Sequence, residues 1–500
     1  MGKIVKDLLW RIPLGVLAGL IALYVFPTEN IWVLAPLIPA LTFLSVLGAG
    51  FWKAVFIGFI SAQVFYVSHI EWISLYLGPV PLFALSTLVS LYSALAAGVI
   101  AWVWKKIGKS DGSSLKMAVL LAAIWTAREF GSGNFPYGGF PWSRLSMSQS
   151  DSFLSSWVWW GGMSLLSFVI ALLGALLALT IRYRGAVPKL SFALVAVGLL
   201  VVPLVTPIGL TTAQSGTKTI AAVQGDANAG LFSNVTPGTI LQNHADATEI
   251  VLQQEREIDL LVWPENASDL DPLRYPEARA VIEGIAQKVD APFTFGTVTR
   301  RGEESFNSTI LWLPETGPVD FYDKRQPVPF AEYAPDREFW RMFAPELVDM
   351  IPRGYSFGVQ DGIYEIDDFK AGTLICFEIA EDWILRDLTH SGAEVILSQT
   401  NNADFGYSDE TFQQAGIARL RAIETGRTVV NISTVGLSAI YLPSGKVLSE
   451  VEWYTPAAMV EDVPLFTGLT PAMYVGTLFD WINLVIVLLV LIAIRLRRRV

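Results

Sequence analysis

Charged residues are scarce in this sequence. Only 16% of its 500 residues are Asp, Glu, Lys or Arg, whereas 52% are hydrophobic. Soluble globular domains carry about 25% charged residues. The shortage argues against an ordinary soluble protein and predicts that much of the chain lies in lipid.

Cysteine and histidine are also rare. Cys376 is the only cysteine, and the histidines are His69, His244 and His390. One cysteine cannot form an internal disulfide, so any function of Cys376 must use a free thiol. The histidines lack H-x-x-x-H spacing and the acids lack a calcium-loop pattern, so we expect neither a metal nor a cofactor. A dyad of Cys376 with His390 stays open as an alternative.

Positive charge is sparse in the second half of the chain. Residues 211–494 hold 18 Lys/Arg against 40 Asp/Glu, whereas residues 1–210 hold 13 against 6. A nucleic-acid-binding surface needs concentrated positive charge. This balance argues against nucleic acid as a partner.

Long apolar runs, in contrast, are frequent. A helix of about 20 apolar residues spans a bilayer. Eight candidate runs lie at 8–26, 31–49, 52–70, 80–104, 116–130, 154–181, 190–210 and 479–494. The first run has no A-x-A-like cleavage site, so we expect a retained anchor rather than a signal peptide. The alternative is that some runs are core helices of a large soluble protein.

The basic residues between these runs predict the orientation. Eight spans place both termini on one side, and the short segments of that side hold 15 Lys/Arg: Lys3, Lys6, Arg11, Lys53, Lys105, Lys106, Lys109, Lys116, Arg182, Arg184, Lys189, Arg495, Arg497, Arg498 and Arg499. The short loops of the other side hold only Arg128 and Arg144. The positive-inside rule makes the richer side cytoplasmic. We predict a seven-span membrane domain at 1–211, an extracytoplasmic domain at 212–478, and an eighth span with a basic cytoplasmic tail at 479–500.

The segment at 212–478 alternates between short β-rich runs and helical patterns. Strands are predicted at 219–223, 260–263, 293–297, 308–313, 373–376, 395–399, 428–432 and 438–441. Helices are predicted at 239–256, 274–289, 380–390 and 410–425. Such alternation predicts a layered α/β domain.

Three polar residues follow predicted strands in this segment. Glu265 follows the strand at 260–263, Lys324 follows a predicted hairpin, and Cys376 lies between a strand and a helix. A carboxylate base and a helix N-terminus would activate the thiol, and an ammonium would stabilise a negative tetrahedral intermediate. Taken singly, each residue is more often structural. Such a cysteine is usually a small core residue, such a glutamate a loop acid or helix cap, and such a lysine a surface charge. Together they predict acyl transfer through the thiol.

The residues around these three resemble a known family. Trp-Pro-Glu at 263–265, Asp-Lys-Arg at 323–325 and Cys-Phe-Glu-Ile at 376–379 are similar to the Glu–Lys–Cys signature of the nitrilase superfamily. Val-Pro-Phe-Ala-Glu-Tyr at 328–333 and Gly-Phe-Pro-Trp at 139–142 resemble its membrane-bound branch, apolipoprotein N-acyltransferase. The eight spans, with a domain between the last two, are similar to that branch as well.

The resemblance implies a fold and a set of roles. The fold is a multi-pass α-helical membrane domain with an α-β-β-α sandwich inserted between spans seven and eight. Cys376 would be the nucleophile, Glu265 the general base and Lys324 the oxyanion stabiliser. The residues implied to support them are Glu332, Tyr333, Phe377 and Glu378.

Two places depart from the family pattern. Relatives often read Asn-Asp-Ala-Trp-Phe-Gly where this chain has Asn-Asn-Ala-Asp-Phe-Gly at 401–406, so Asp404 replaces an aromatic residue. The region around Ser132 lacks an arginine that is common before the Gly-Phe-Pro-Trp motif. We expect both changes to affect substrate detail more than chemistry.

The resemblance also implies a reaction, partners and a location. In the bacterial inner membrane, Cys376 would take an acyl chain from a phospholipid, and the α-amine of a diacylglyceryl-modified apolipoprotein would then attack the thioester. One alternative is a membrane-anchored amidohydrolase, in which water attacks instead. Another is a transporter or scaffold with an outer binding domain, which polar residues deep in several spans would favour.

Overall fold

The computed structural model describes residues 2–108, 114–183, 185–230, 233, 236–351 and 354–496. Lys109, Arg184, Arg497, Arg498 and Arg499, which entered the orientation argument, lie outside the described residues. The chain divides into two compact units, one made of residues 1–74, 78–207 and 475–500 and the other of residues 75–77 and 208–474.

The helices of the described chain are α1 Gly2–Val25, α2 Leu37–Val46, α3 Phe51–His69, α4 Ile73–Leu77, α5 Pro79–Ile107, α6 Ser114–Asn134, α7 Trp157–Arg182, α8 Ala186–Val205, α9 Thr239–Leu252, α10 Pro276–Val289, α11 Arg337–Arg341, α12 Pro345–Asp349, α13 Asp382–His390, α14 Glu410–Thr425, α15 Pro471–Val475 and α16 Leu478–Leu496. In the first unit, α3 packs against α1 and α5, and α6 packs against α7 and α16. The first unit is therefore a bundle of apolar helices.

Six described helical segments are long and apolar enough to span a membrane: Asp7–Val25, Phe51–His69, Pro79–Ile107, Phe153–Arg182, Ala186–Val205 and Leu478–Leu496. They coincide with six of the eight predicted runs. The run at 31–49 corresponds to a shorter apolar segment, Trp32–Val46. The run at 116–130 lies in α6, which contains two adjacent charged residues, Arg128 and Glu129. The count of eight spans stays a prediction.

The two adjacent charged residues of α6, Arg128 and Glu129, are buried and paired. Arg128 was counted with an outer loop, but it lies within the helix, where its Nη2 is 3.3 Å from Glu129 Oε1. Arg128 Nη1 also donates to the Tyr66 hydroxyl at 2.7 Å. Glu129 Oε1 accepts from Trp125 Nε1 at 2.8 Å and from the backbone N–H of Leu145 at 3.1 Å. An apolar bundle tolerates these charges because each has polar partners.

The strands of the second unit are β1 Thr212–Gln224, β2 Leu260–Val262, β3 Phe293–Arg301, β4 Glu304–Leu313, β5 Gly317–Asp323, β6 Ile363–Ile366, β7 Phe369–Ile375, β8 Val395–Thr400, β9 Thr428–Ser433, β10 Ser438–Tyr441, β11 Val447–Val451 and β12 Ala457–Gly468. They form two six-stranded sheets, with the orders β12-β1-β2-β3-β4-β5 and β11-β10-β9-β8-β7-β6. The central pairs β1–β2, β2–β3, β7–β8 and β8–β9 are parallel, and the outer pairs are antiparallel.

The two sheets face each other across one apolar core. Ile220 and Val262 from the first sheet pack there with Leu397 and Ile432 from the second. A further core lies between the first sheet and helices α9 and α10. Helices α13 and α14 pack on the second sheet. This arrangement of helices, sheet, sheet and helices confirms the α-β-β-α sandwich.

The strands missing from the eight predicted ranges are the four at sheet edges. All eight predicted strands are present, and the four predicted helices correspond to α9, α10, α13 and α14. The four edge strands are β5, which belongs to the predicted hairpin before Lys324, and β6, β11 and β12. An edge strand has a solvent-exposed side, so it needs no continuous apolar run. In β12, for example, Glu461, Asp462 and Pro464 interrupt the apolar pattern.

Candidate active site

Glu265 lies just beyond the carboxyl end of β2 and is 5% exposed. Its Oε1 accepts a hydrogen bond of 2.7 Å from Asn307 Nδ2. On β3, a Cβ added to Gly296 would lie 2.6 Å from the Cα of Glu265, so the close approach of the two backbones requires glycine. Burial raises the pKa of Glu265, the Lys324 ammonium opposes this shift, and the Glu332 carboxylate adds to it.

Lys324 follows β5 directly and is 1% exposed. Its Nζ lies 2.9 Å from Glu332 Oε2 and 3.6 Å from Glu265 Oε1. Burial alone would lower the pKa of Lys324, but the carboxylates of Glu332 and Glu265 outweigh it, so the pKa lies well above its ordinary value. Lys324 is therefore a permanent ammonium held between two acids.

Cys376 follows β7 directly, in the second sheet, and is partly exposed. Its φ of 53° lies in the left-handed region, which few residues other than glycine adopt. Burial raises the pKa of the thiol well above its ordinary value, Glu265 adds to the shift and Lys324 opposes it. Glu265 and the thiol shift each other's pKa, so the carboxylate lies near the sulfur. The resting thiol is therefore protonated and has a base beside it.

The helix dipole contributes less at Cys376 than the sequence suggested. The cysteine begins a single 3-10 turn, Cys376–Ala380, and α13 begins only at Asp382. Because a helix dipole acts within its first turn, α13 is too far along the chain to activate the sulfur directly. Activation therefore depends on the neighbouring side chains.

Glu378 joins the two loops that carry the lysine and the cysteine. Its Oε2 accepts from the backbone N–H of Ile375, at the end of β7, at 2.8 Å. Its Oε1 accepts from the backbone N–H groups of Arg325 at 2.7 Å and Gln326 at 3.0 Å, just beyond β5. The Tyr322 hydroxyl donates to the same carboxylate at 2.9 Å. This buried carboxylate sets the distance between the two loops.

Of the other residues implied by the resemblance, one contacts the lysine directly. Glu332 accepts from Asn307 Nδ2 at 3.0 Å and from Lys324. The Tyr333 ring lies against that of Phe357, with centroids 4.9 Å apart. Phe377, next to Cys376 in the chain, is buried.

Two polar side chains at the site were missed from the sequence. Asn307 lies on β4 and donates to both Glu265 and Glu332. Gln414 lies on α14 and directs its Nε2 to the Cys376 sulfur at 3.6 Å. A buried amide in a strand or helix has no sequence signature of its own, because its partners come from distant segments.

Asp404 brings a further acid close to the site. It lies in the 3-10 helix Ala403–Phe405, just beyond β8. Burial raises its pKa to about 7, and the Glu265 and Glu332 carboxylates add to the shift. Asp404, which stands where relatives often have an aromatic residue, therefore adds a titratable group at this position.

The alternative with histidine finds no geometric support. His390 closes α13, and its Nε2 lies 3.1 Å from the carbonyl oxygen of Met473. The described residues contain no group of three or more His, Cys, Asp or Glu that could hold a metal ion.

The chemistry this site can perform is that of thiol, carboxylate and ammonium. The carboxylate can take the thiol proton while sulfur attacks a carbonyl carbon, and the ammonium can stabilise the resulting oxyanion.

Comparison with known proteins agrees with this class of site. Residues 219–467 match the model of the carbon-nitrogen hydrolase family. Residues 18–176 match the model of the apolipoprotein N-acyltransferase N-terminal domain. The chain thus combines a carbon-nitrogen hydrolase domain, with a cysteine at its site, and an apolar helical unit.

Curated relatives narrow the class to one family. The chain is 32% identical to an apolipoprotein N-acyltransferase of Mycolicibacterium smegmatis, over 83% of this chain and 73% of that protein. It is 27% identical to one of Vibrio parahaemolyticus, over 93% of each. A solved amidase from Nesterenkonia sp. is 18% identical, with a TM-score of 0.38, and the match covers 53% of this chain and 95% of the amidase. The chain belongs to the apolipoprotein N-acyltransferase family and is a bacterial membrane protein.

Proposed function

We propose that this protein transfers an acyl chain from a membrane phospholipid, through a thioester on Cys376, to the N-terminal amine of diacylglyceryl-cysteine lipoproteins. The observation that carries the proposal is the cluster of a thiol, its Glu265 partner, and the Lys324 ammonium 3.6 Å from that carboxylate. The names of its relatives support a lipoprotein as acceptor.

In the first step, Glu265 takes the thiol proton while the sulfur attacks the ester carbonyl of the phospholipid. Lys324 stabilises the negative oxygen of the tetrahedral intermediate. The ester C–O bond then breaks, and Glu265 returns the proton to the departing lysophospholipid alcohol. The acyl chain remains on sulfur as a thioester.

In the second step, the α-amine of the lipoprotein attacks the thioester carbonyl. Glu265 accepts a proton from the nitrogen, the C–S bond breaks, and the sulfur leaves with its electron pair. The proton returns to sulfur, and the product is an amide. The raised pKa of Cys376 favours this return, since burial disfavours the thiolate.

We propose that the site faces the periplasm, with both termini in the cytoplasm and the chain organised as 1–211, 212–478 and 479–500. The short segments on the proposed cytoplasmic side hold 15 Lys/Arg, whereas those on the other side were assigned two. This asymmetry supports the orientation. Donor and acceptor are both lipids, so a membrane-bound enzyme confines all three to one surface and aids their alignment.

A membrane-bound amidohydrolase is the second candidate function. The match to the carbon-nitrogen hydrolase model favours it, because the same thiol and acid would serve if water were the second nucleophile. The two functions differ in product: hydrolysis releases a free acid, whereas transfer yields an amide.

Intact-mass analysis of the purified full chain tests the proposal. Incubated with phospholipid in micelles, the protein should gain one acyl mass that hydroxylamine removes, and a diacylglyceryl-cysteine peptide should then take that acyl group. Cys376→Ala should show neither event, while Ser444→Ala, in the exposed turn between β10 and β11, should behave as wild type. Full activity of Cys376→Ala would exclude the thioester, and free fatty acid as sole product would favour the hydrolase.

A further inference from the structure

A chain of buried polar side chains lies behind the thiol and takes no part in the reaction as described so far. Its first member is Gln414 on α14, which is 1% exposed and whose Nε2 lies 3.6 Å from Cys376 Sγ. This is a direct polar contact on the reacting atom. It comes from a helix of the second sheet's outer layer, not from the loops that carry Glu265 and Lys324.

The orientation of the Gln414 amide follows from its other partners. Its Oε1 accepts from Thr400 Oγ1 at 2.7 Å and from Asn402 Nδ2 at 2.8 Å. Because the N–H of Asn402 can only donate, the Gln414 amide oxygen faces it. The NH₂ group is therefore directed at the sulfur.

Asn402 is held in the same way. Its Nδ2 also donates to Glu410 Oε2 at 2.6 Å, and its Oδ1 accepts from Ser433 Oγ at 2.5 Å. A Cβ added to Gly436 would lie 1.9 Å from Asn402 Oδ1, so the close approach of this amide requires glycine at position 436. Hydrogen bonds thus link Glu410, Asn402, Gln414 and the Cys376 sulfur in that order.

We propose that Gln414 is a further catalytic residue, whose amide N–H donates a hydrogen bond to the Cys376 sulfur and stabilises its thiolate form. Asn402 and Glu410 are positioning residues that hold this amide. The proposal rests on the thioester chemistry described above. When Glu265 takes the thiol proton, the S–H bond breaks and the electron pair stays on sulfur. The negative sulfur then accepts a stronger hydrogen bond from the Gln414 N–H group.

The same contact acts twice in the reaction. Sulfur is negative before it attacks the donor and again when it leaves the thioester. In the thioester itself the sulfur carries no charge, so the hydrogen bond weakens. Gln414 therefore stabilises charge mainly where charge develops, which is the condition for accelerating a reaction rather than tightening binding.

The reactivity of the thiol toward iodoacetamide tests this inference. Cys376 is the only cysteine, so the second-order alkylation rate of the full chain in micelles reports on it alone. Gln414→Met keeps the approximate shape but has no N–H. Its alkylation at pH 7 should be about tenfold slower than wild type, since a hydrogen bond to a charged group contributes roughly that factor. The pH profile of its alkylation should move to higher pH, and acyl transfer should fall similarly.

Two further variants keep the outcome interpretable. Ile417→Val, on the same helix, removes one buried methyl group and should lower the thermal unfolding temperature slightly without changing the alkylation rate. Gln414→Leu also lacks an N–H donor and should slow alkylation to a similar extent. It also decides the matter if Gln414→Met does not fold.

Alkylation of Gln414→Met, or of Gln414→Leu, within twofold of wild type would overturn the inference. That result together with an inactive Cys376→Ala would leave the thioester mechanism standing. Full transfer activity in Cys376→Ala would instead overturn the proposed function itself.

Discussion

Replacing Lys324 with methionine removes a buried charge and leaves most of the side-chain shape. The ammonium is 1% exposed and lies 2.9 Å from Glu332 and 3.6 Å from Glu265. Removing one partner of a buried ion pair costs about 3–5 kcal/mol because the other charge stays buried. Loss of an oxyanion-stabilising group lowers a rate about 100- to 1,000-fold. We expect both effects in Lys324→Met.

The pH dependence of this variant has a definite sign. Lys324 makes the largest contribution against the raised pKa of Glu265, so its removal raises that pKa further. A larger fraction of Glu265 is then protonated at a given pH and cannot take the thiol proton, so acylation should recover as pH rises. The stability of Lys324→Met relative to wild type should fall as pH rises, whereas its acylation rate should recover. An acid with a raised folded-state pKa loses stability as pH increases, so the deficit of Lys324→Met should be smallest at low pH.

Two measurements on the full chain check these expectations. Intact mass follows the rate of acylation between pH 6 and pH 9, and thermal unfolding follows stability over the same range. Lys446→Met, an exposed lysine near the turn between β10 and β11, is the matched control and should leave both unchanged. Acylation by Lys324→Met within threefold of wild type at pH 7, with an unchanged unfolding temperature, would refute the reasoning.

Three further substitutions test the surroundings of the site. Glu378→Gln replaces an acceptor that faces N–H and O–H donors, so it should cost about 1–3 kcal/mol, seen in thermal unfolding, and slow acylation; an unchanged unfolding temperature would contradict this. Asn307→Leu removes the donor shared by Glu265 and Glu332 and should slow acylation about tenfold, measured by intact mass, whereas a wild-type rate would contradict its orienting role. The pKa of Asp404 is raised from 3.8 to about 7, so wild type should lose stability as pH rises between these values. Asp404→Asn should show a smaller loss, because Glu265 and Glu378, whose pKa values are also raised, still contribute to it. Identical profiles of unfolding temperature against pH would show that Asp404 does not contribute.

Much of this protein follows from local sequence pattern. Apolar runs predicted the six long apolar helices, because burial in lipid needs an unbroken length of apolar residues. The strands near the middle of each sheet were predicted for a similar reason: both of their faces are buried, as in β2 and β8, so nearly every residue is apolar or small. Glu265 and Cys376 were identified because each follows such a strand, and Lys324 because it follows a predicted hairpin.

Tertiary structure alone decided which polar groups meet. Asn307, Glu378 and Gln414 act through partners that are up to 56 residues away in the chain, and no local pattern records such pairings. The pairing of the edge strand β12 with β1, more than 200 residues earlier, is likewise not recorded in any local pattern. The sequence by itself determined which segments are apolar and which residues are candidates for the chemistry, because both depend on local patterns. Distances, the protonation of the thiol and the hydrogen bond on its sulfur arise only when distant segments come together in a dry interior.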